Sequence, residues 1–390
     1  MSDTFDTTVI LNARLPHYLG LHQIEIKNGL IKAVKPVDEA VAASPSATVI
    51  DVAGDWVSSG AVDLQINGAL GLAFPELRPE HFEQLQSICE LLWQQGVDGF
   101  CPTLVTTSPE NFHKSLSAIR QFQQLPFKKN SAKILGVHLE GPFLNVAKRG
   151  AHPKAFLQPL TLAAVKQLIG DFASTVKIVT LAPEIETGKG VIEWLSRRGI
   201  TVSMGHSLAT AAQANHAFEQ GATMVTHAFN AMPSLHHRDP GLLGAALAHP
   251  HVSCGFIADG QHICRTVLDL LIRMGRGSTH AVMGGLFLAS DALSPLGLPD
   301  GIYPWDERQI EVIAGTARLA DGTLAGTTLP LIEGAANLVK WNICSVEEAI
   351  ALVTQAPRQA IGLQDLAVGS VAQLLRWHQS ETHQLTWQRI

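Results

Sequence analysis

Residues 176–230 repeat the pattern that decides the fold: VKIVTLAPEIETGKGVIEWLSRRGITVSMGHSLATAAQANHAFEQGATMVTHAFN. A short apolar run is followed by a polar loop and by a stretch of helical periodicity, and then the next run begins. The same pattern extends in both directions along the chain. Eight strands alternating with helices predict an α/β fold, a (β/α)₈ TIM-like barrel. The eight runs are VDLQI (62–66), DGFCPTL (98–104), KILGVHL (133–139), VKIVTLA (176–182), ITVSMG (200–205), TMVTHAF (223–229), VSCGFIA (252–258) and AVMGGLFLAS (281–290).

The two ends of the chain differ from this pattern and predict short β-strands joined by turns. We expect residues 1–57 and 358–390 to form one small β-sandwich domain, and residues 58–357 to form the barrel. Between the last run and the tail, GIYPWDERQIEVIAGTARLADGTLAG predicts a hairpin with its turn at ADGT. The stretch SVEEAIALVTQAPRQAIGL then predicts a helix with Ser345 as its N-cap.

The composition narrows the function classes. In 390 residues, 46% are hydrophobic and the net charge is -6, which argues against disorder and against binding to a nucleic-acid backbone. No apolar run approaches the length of about eighteen residues that a membrane span needs, and the start MSDTFDTT is unlike a secretory signal. We therefore expect a soluble, cytoplasmic protein. The five cysteines are scattered and predict apolar core residues, with neither disulfides nor a cysteine metal site.

Polar residues follow most of the eight runs. In a barrel of this class the chemistry lies at the carboxyl ends of the strands, so these side chains are expected to meet around one cavity. Seventeen histidines against two tyrosines make histidine the residue type that most needs explaining. The residues concerned are Gln65 and Asn67 after run one, Glu140 after run three, His206 and His227 after runs five and six, His262 after run seven and Asp291 after run eight.

Three of these residues predict a metal site. Glu140 would place a carboxylate at the end of a buried strand, where it needs an Arg or Lys partner or a metal ion. His206 or His227 alone is more often a hydrogen-bonded core residue. Together on one rim, one Glu and two His form a known catalytic zinc set that leaves one position open for water. Zinc is preferred, and other divalent transition metals remain open.

Asp291 lies where a general base must stand to accept a proton from a water that the metal activates. The alternative is a helix N-cap, but Pro295 and Gly297 disfavour a long following helix. Gln65 and Asn67 share one face of the first strand, where two-metal barrel hydrolases usually carry His-x-His. Neutral amides bind transition metals poorly, so we expect one metal and a vacated second site at Gln65 and Asn67.

The chain resembles the amidohydrolase superfamily, and within it the deacetylases of phosphorylated acetamido sugars. HLEGPF and THxxNAM together are highly specific. The resemblance implies hydrolysis of the acetamide of N-acetyl-D-glucosamine 6-phosphate to D-glucosamine 6-phosphate and acetate, in amino-sugar catabolism. It runs in order from about residue 57 to residue 360, through DLQING, PTLVTTSPE, GVHLEGPFLN, KRGAHP, TLAPE, GHSLAT, THAFNAMPSLHHRDPG, IADGQH, SDAL and GTLAGTTL.

The resemblance also implies roles for single residues. Glu140, His206 and His227 would hold the metal, and Asp291 would act first as general base and then as general acid. It further implies a homodimer in which Arg238 reaches the neighbouring subunit's site. The substrate-binding residues that it implies are Ala151, His152 near the acetamide, Asn230, Ala231, Arg238 and His262 near the phosphate, and Leu324, Ala325 and Gly326 in a sugar-contacting loop.

Several alternatives stay open at this point. The substrate could be the galactosamine isomer or a cyclic amide. A non-catalytic scaffold is the interpretation that fits these residues least well. Arg238 could instead pair with Asp239, whereas His236 and His237 have no assigned role. The tail GSVAQLLRW departs from the Gly-Lys-x-Ala-Asp pattern of the family, which affects the β domain rather than the site.

Overall fold

The computed structural model describes residues 7–40, 44–277 and 281–390. Its central sheet is a parallel barrel in which neighbours in the sequence are neighbours in space, so the (β/α)₈ prediction is confirmed. The barrel strands are β1 (Ala61–Ile66), β2 (Val97–Val105), β3 (Val137–Glu140), β4 (Val176–Leu181), β5 (Thr201–Met204), β6 (Ala222–Val225), β7 (Ser253–Phe256) and β8 (Leu286–Leu288).

Hydrogen bonds beyond the strand ends close the barrel between β8 and β1. The Asp291 amide donates to the Gln65 carbonyl at 2.9 Å, and the Asn67 amide donates to the Ala292 carbonyl at 2.7 Å. These two bonds place the segment after β8 beside the segment after β1. The closure therefore brings Asp291 next to the two amides that the sequence analysis singled out.

Helices surround the barrel, and their apolar faces contact its strands in one large core. Across the described ranges, no helix is long and apolar enough to cross a membrane. The helices are α1 (Phe82–Gln94), α2 (Pro109–Gln123), α3 (Leu162–Ile169), α4 (Val191–Ser196), α5 (Ala211–Glu219), α6 (Gly241–Ala248), α7 (Arg265–Arg276), α8 (Leu331–Lys340), α9 (Val346–Val353) and α10 (Gln355–Ala360).

Two of the predicted runs were wrong in detail. The run 281–290 begins with a 3₁₀ turn at Val282–Gly285 and becomes a strand only at Leu286, because Met283 and Gly284 have positive φ angles of 51° and 65°. The run 133–139 divides into Lys133–Ile134 and β3. Gly136 separates them with φ at 133°, and a Cβ there would lie 2.7 Å from the Lys177 Cβ, so glycine is required at this position.

The segment between β8 and α8 forms a four-stranded antiparallel sheet, which we call the inserted sheet. The predicted ADGT turn does join its last two strands, but the sequence analysis missed the first two as separate strands. The strands are Gly301–Trp305, Arg308–Ile313, Thr316–Leu319 and Leu324–Thr327. The last of them bridges to Ala292, directly after Asp291.

Both chain ends contribute to a second hydrophobic core, as expected for a small β-sandwich. Ile10 and Ile24 from one sheet pack with Val57 and Leu374 from the other. We keep the domain division at 57/58 and 357/358 as a proposal, although the strand Trp56–Ser59 crosses the first boundary and α10 crosses the second. The strands of one sheet are Thr7–Ala13, His22–Lys27, Leu30–Pro36 and Thr48–Asp51, and those of the other are Trp56–Ser59, Leu374–Gln379 and Leu385–Arg389. A two-stranded ribbon, Gly68–Ala69 with Leu72–Ala73, is separate from both sheets.

The cysteine prediction is confirmed for four residues and wrong for one. Cys89, Cys101, Cys254 and Cys344 are buried and unpaired. Cys264 is exposed instead, because it lies at the N-cap position of α7 rather than on a strand.

Ser345 caps α9, as predicted. Its hydroxyl accepts a hydrogen bond from the Glu348 amide, and the Glu348 carboxylate accepts one from the Ser345 amide. We expect Ser345→Ala to lower the free energy of unfolding by about 1 kcal/mol, measured by urea denaturation. The control is Ser87→Ala on the exposed face of α1, which should change stability by less than about 0.5 kcal/mol. Equal stability of the two variants would contradict the capping role.

Candidate active site

Three nitrogen and oxygen atoms converge at the carboxyl end of the barrel. The Glu140 Oε1 atom lies 3.1 Å from His206 Nε2 and 2.9 Å from His227 Nε2. The two Nε2 atoms lie 3.0 Å apart. His206 and His227 each lie two residues beyond the end of their strand and adopt positive φ angles of 50° and 30°, which are uncommon for non-glycine residues. The residues that the sequence analysis assigned to a metal are thus brought together.

The protonation of this cluster indicates that it suits a cation. His206 Nδ1 lies 2.9 Å from the Lys148 carbonyl oxygen, which can only accept, so Nδ1 carries the proton of the neutral ring. The Nε2 lone pair then points at the Glu140 carboxylate, which also only accepts. Burial raises the pKa of Glu140, but its contacts with the His206 and His227 imidazoles outweigh burial and hold this pKa well below its usual range. A carboxylate oxygen and two imidazole nitrogens with converging lone pairs fit a divalent metal.

His152 lies beside this cluster. Glu140, His152 and His206 each offer a ligand atom, and these atoms lie within 4.8 Å of one another, so the group could hold a metal ion. The Thr106 amide lies 3.3 Å and the Thr106 hydroxyl 2.9 Å from His152 Nδ1. Because the amide can only donate, Nδ1 accepts and the ring proton lies on Nε2. Burial and the neighbouring His206 lower the pKa of His152 to about 3, so the ring is neutral. We therefore interpret His152 as a hydrogen-bond donor to the site rather than as a ligand.

Asp291 is held by the two amides after β1. Asn67 Nδ2 donates to its Oδ1 atom at 2.8 Å. Gln65 Nε2 lies 3.2 Å from the same atom and 3.1 Å from Glu140 Oε1. Burial, together with the charge of Glu140, raises the pKa of Asp291 to about 6. No helix begins at Asp291 in this described segment, so the N-cap alternative does not apply. The vacated second metal site stays a prediction.

A hydrogen-bonded row of polar side chains lies on the strands below the cluster, and sequence reasoning missed it. His138 Nε2 lies 2.7 Å from the Thr180 hydroxyl, which lies 2.6 Å from the Thr226 hydroxyl. Ser203 lies 2.6 Å from Thr226 in turn. His138, Thr180 and Ser203 lie on the adjacent strands β3, β4 and β5, and Thr226 directly follows β6. Glu140 ends β3, whereas His206 and His227 lie two residues beyond the ends of β5 and β6. The row therefore fixes the strand ends that carry the three converging atoms.

A cavity of about 1040 Å³ opens above the cluster. Gly326 does not line this cavity. A Cβ at Gly326 would lie 2.7 Å from the Asp291 carbonyl oxygen, so only glycine fits at this position. The predicted substrate residues that line the cavity are Ala151, His152, Asn230, Ala231, His262, Leu324 and Ala325.

Arg238 is not among the residues that line this cavity. It lies on an exposed loop, where its Nη1 atom is 2.8 Å from His237 Nε2. The partner in this contact is His237 and not Asp239, the alternative partner considered from the sequence. The single chain therefore does not bring Arg238 to the site, which leaves contact across a subunit boundary as the untested prediction.

Asp259 is a site residue that sequence reasoning missed. Its Oδ2 atom accepts from His262 Nδ1 at 2.7 Å, and its Oδ1 atom accepts from the His262 amide at 2.9 Å. The two side chains are only 5% and 3% exposed. Asp259 thus fixes the orientation of the His262 ring. The spacing of three residues in IADGQH was the available signal, because an aspartate at that distance can turn back onto the histidine.

Comparison with known proteins agrees with this geometry. Residues 56–384 match the amidohydrolase family, and the chain belongs to that family. The N-acetylglucosamine-6-phosphate deacetylase of Bos taurus is 37% identical over 325 residues, which are 80% of this chain and 76% of the relative. The N-acetylgalactosamine-6-phosphate deacetylase of Escherichia coli O157:H7 is 30% identical over 354 residues, which are 91% of this chain and 88% of the relative.

A solved structure gives the same result for the fold. It is a mutant N-acetyl-D-glucosamine-6-phosphate deacetylase from Mycobacterium smegmatis in complex with N-acetyl-D-glucosamine-6-phosphate. The similarity has a TM-score of 0.83 at 25% identity and covers 98% of this chain and 97% of that chain. The family resemblance predicted from the sequence is therefore confirmed.

Proposed function

We propose that the chain hydrolyses the acetamide of N-acetyl-D-glucosamine 6-phosphate and releases D-glucosamine 6-phosphate and acetate. The observation that carries this proposal is the cluster of Glu140, His206 and His227 with Asp291 beside it at the floor of one cavity. The names of the curated relatives and of the solved structure support the substrate. The reaction is one of amino-sugar catabolism.

Glu140, His206 and His227 would hold one divalent metal per chain, and zinc suits this set of one carboxylate and two imidazoles best. When bound, such a metal lowers the pKa of a water ligand and polarises a carbonyl group. Gln65 and Asn67 donate to the carboxylates instead of acting as ligands, which supports a single-metal site.

Asp291 acts as the general base that accepts the proton of the attacking water. It then passes that proton to the nitrogen of the tetrahedral intermediate, so that the nitrogen leaves as a neutral amine rather than as a strongly basic amide anion. His152 donates a hydrogen bond from Nε2 to the oxyanion that forms on the acetyl oxygen and keeps its proton, and Thr106 holds the ring in that tautomer. Asn230, Ala231 and His262 bind the phosphate, and Leu324 and Ala325 contact the sugar, with Gly326 of the same predicted loop next to them in the chain but outside the cavity lining.

The phosphate assignment makes a specific prediction for His262. We expect His262→Ala to lower kcat/KM for N-acetylglucosamine 6-phosphate by about 10- to 100-fold, because a hydrogen bond to a charged group is lost. Activity on unphosphorylated N-acetylglucosamine should change little. The control is His216→Ala on the exposed surface of α5. An equal loss with both sugars would remove His262 from the phosphate site.

The galactosamine isomer is the second candidate substrate. The Escherichia coli O157:H7 relative named for N-acetylgalactosamine-6-phosphate aligns with 91% of this chain. The ratio of kcat/KM for the two phosphorylated isomers decides between them, and we expect it to favour the gluco isomer.

We also propose a homodimer in the cytoplasm. Arg238 lies on an exposed loop outside its own cavity, which supports its predicted contact with the neighbouring subunit's phosphate site. A phosphorylated sugar is an intracellular metabolite, and the unpaired cysteines suit a reducing compartment. Sedimentation of the purified chain tests the dimer, and a monomer at micromolar concentration would contradict it.

A further inference from the structure

Two guanidinium groups bind three consecutive carbonyl oxygens in the loop that carries His152. Arg149 Nη1 lies 3.2 Å from the Gly150 oxygen and 3.2 Å from the His152 oxygen. Arg308 Nη2 donates to the Ala151 oxygen at 2.7 Å. Arg149 belongs to the loop itself, whereas Arg308 comes from the inserted sheet, 157 residues further along the chain. The bond from Arg308 therefore ties two distant segments together.

Asp306 fixes the guanidinium of Arg308, which also donates to the loop. Its Nε atom lies 2.9 Å from Asp306 Oδ1, and its Nη2 atom lies 2.5 Å from Asp306 Oδ2. A two-point contact of this kind sets the plane of the guanidinium. Trp305 and Arg308 line the same cavity as His152, so the turn 305–308 forms part of its wall.

The other end of the inserted sheet is attached to the catalytic carboxylate segment. The Thr327 amide donates to the Asp291 carbonyl at 3.2 Å, and the Leu293 amide donates to the Thr327 carbonyl at 2.9 Å. The inserted sheet thus contacts the segment of Asp291 at one end and the loop of His152 at the other. It sets the separation between the general base and the residue that donates to the oxyanion.

We propose that Arg308 is a positioning residue for His152. Thr106 holds the His152 ring from the strand side, and Arg308 holds the preceding peptide through the Ala151 carbonyl. Both are needed because the loop has no regular structure between its 3₁₀ turns at Val146–Lys148 and Lys154–Phe156. Small errors in the placement of a catalytic group have large effects on rate. This inference rests on the proposed function only for the role of His152.

The kinetic test compares Arg308→Ala with Arg318→Ala. Arg318 is exposed on the same sheet and donates to the Gly322 carbonyl, so its removal controls for the loss of a guanidinium. We expect Arg308→Ala to lower kcat about tenfold with KM changed less than twofold, and Arg318→Ala to match the wild type. Arg308→Lys should recover part of the loss. Wild-type kcat in Arg308→Ala would overturn the proposal.

A double-mutant cycle shows whether Arg308 acts through His152. If it does, Arg308→Ala should cause no further loss of kcat when His152 is already Ala. Independent, additive losses would overturn the proposal.

Hydrogen exchange tests the hydrogen bond between Arg308 and the Ala151 carbonyl without any activity measurement. Amides of residues 149–152 should exchange faster in Arg308→Ala than in Arg318→Ala, and equal exchange would overturn the proposal. An inactive wild type with this difference intact would contradict the proposed function alone.

Discussion

Replacing Asp291 by Asn is expected to lower kcat by about 100- to 10,000-fold while metal content and the unfolding temperature stay close to those of the wild type. The amide has the size of the carboxylate, and its oxygen can still accept from Asn67, so the barrel closure is preserved. It cannot accept the proton of the attacking water. Acetate release, metal analysis and thermal unfolding measure the three quantities.

Asp171→Asn, on the exposed surface after α3, is the matched control because it removes the same charge far from the cavity. It should leave kcat unchanged. Near-wild-type turnover in Asp291→Asn would remove Asp291 from the proton transfer and leave the reaction without an assigned base.

Replacing Glu140 by Gln is expected to abolish both metal binding and turnover. Glu140 is the only anionic member of the converging cluster, and the two imidazoles that face it are neutral when they bind a metal. We expect the metal affinity to fall by more than about 100-fold, because changes outside the ligand set alone cost about 10- to 100-fold. Elemental analysis after dialysis measures the metal, and acetate release measures turnover.

Glu219→Gln on the exposed surface of α5 is the control for the loss of a glutamate. It should retain metal and activity. A Glu140→Gln variant that kept stoichiometric metal would show that the metal is held elsewhere, with His152 as the first candidate because it lies in the same group of possible ligands.

The convergence of three polar side chains could be predicted because position along a strand decides it. Glu140, His206 and His227 each follow a barrel strand, so the parallel order of β3, β5 and β6 brings them to one rim. The barrel itself could also be predicted. Its regular alternation of apolar runs and helical stretches leaves few other folds.

Contacts between segments far apart in the sequence could not be predicted. The inserted sheet was predicted as one hairpin because the turn before Arg308 contains neither glycine nor proline. Asp306 adopts the positive φ of 49° in this turn instead. The bond from Arg308 to the Ala151 carbonyl depends on how that sheet lies over the barrel. The exposed position of Arg238 likewise depends on a loop conformation that no periodicity determines.

The most direct test of the account is acetate release from N-acetylglucosamine 6-phosphate by the purified chain, before and after treatment with a chelator. We expect turnover that the chelator abolishes and that added zinc restores, because Glu140, His206 and His227 need a divalent metal to act together. Full activity in metal-free protein, or no acetate release from the metal-loaded chain, would contradict the account.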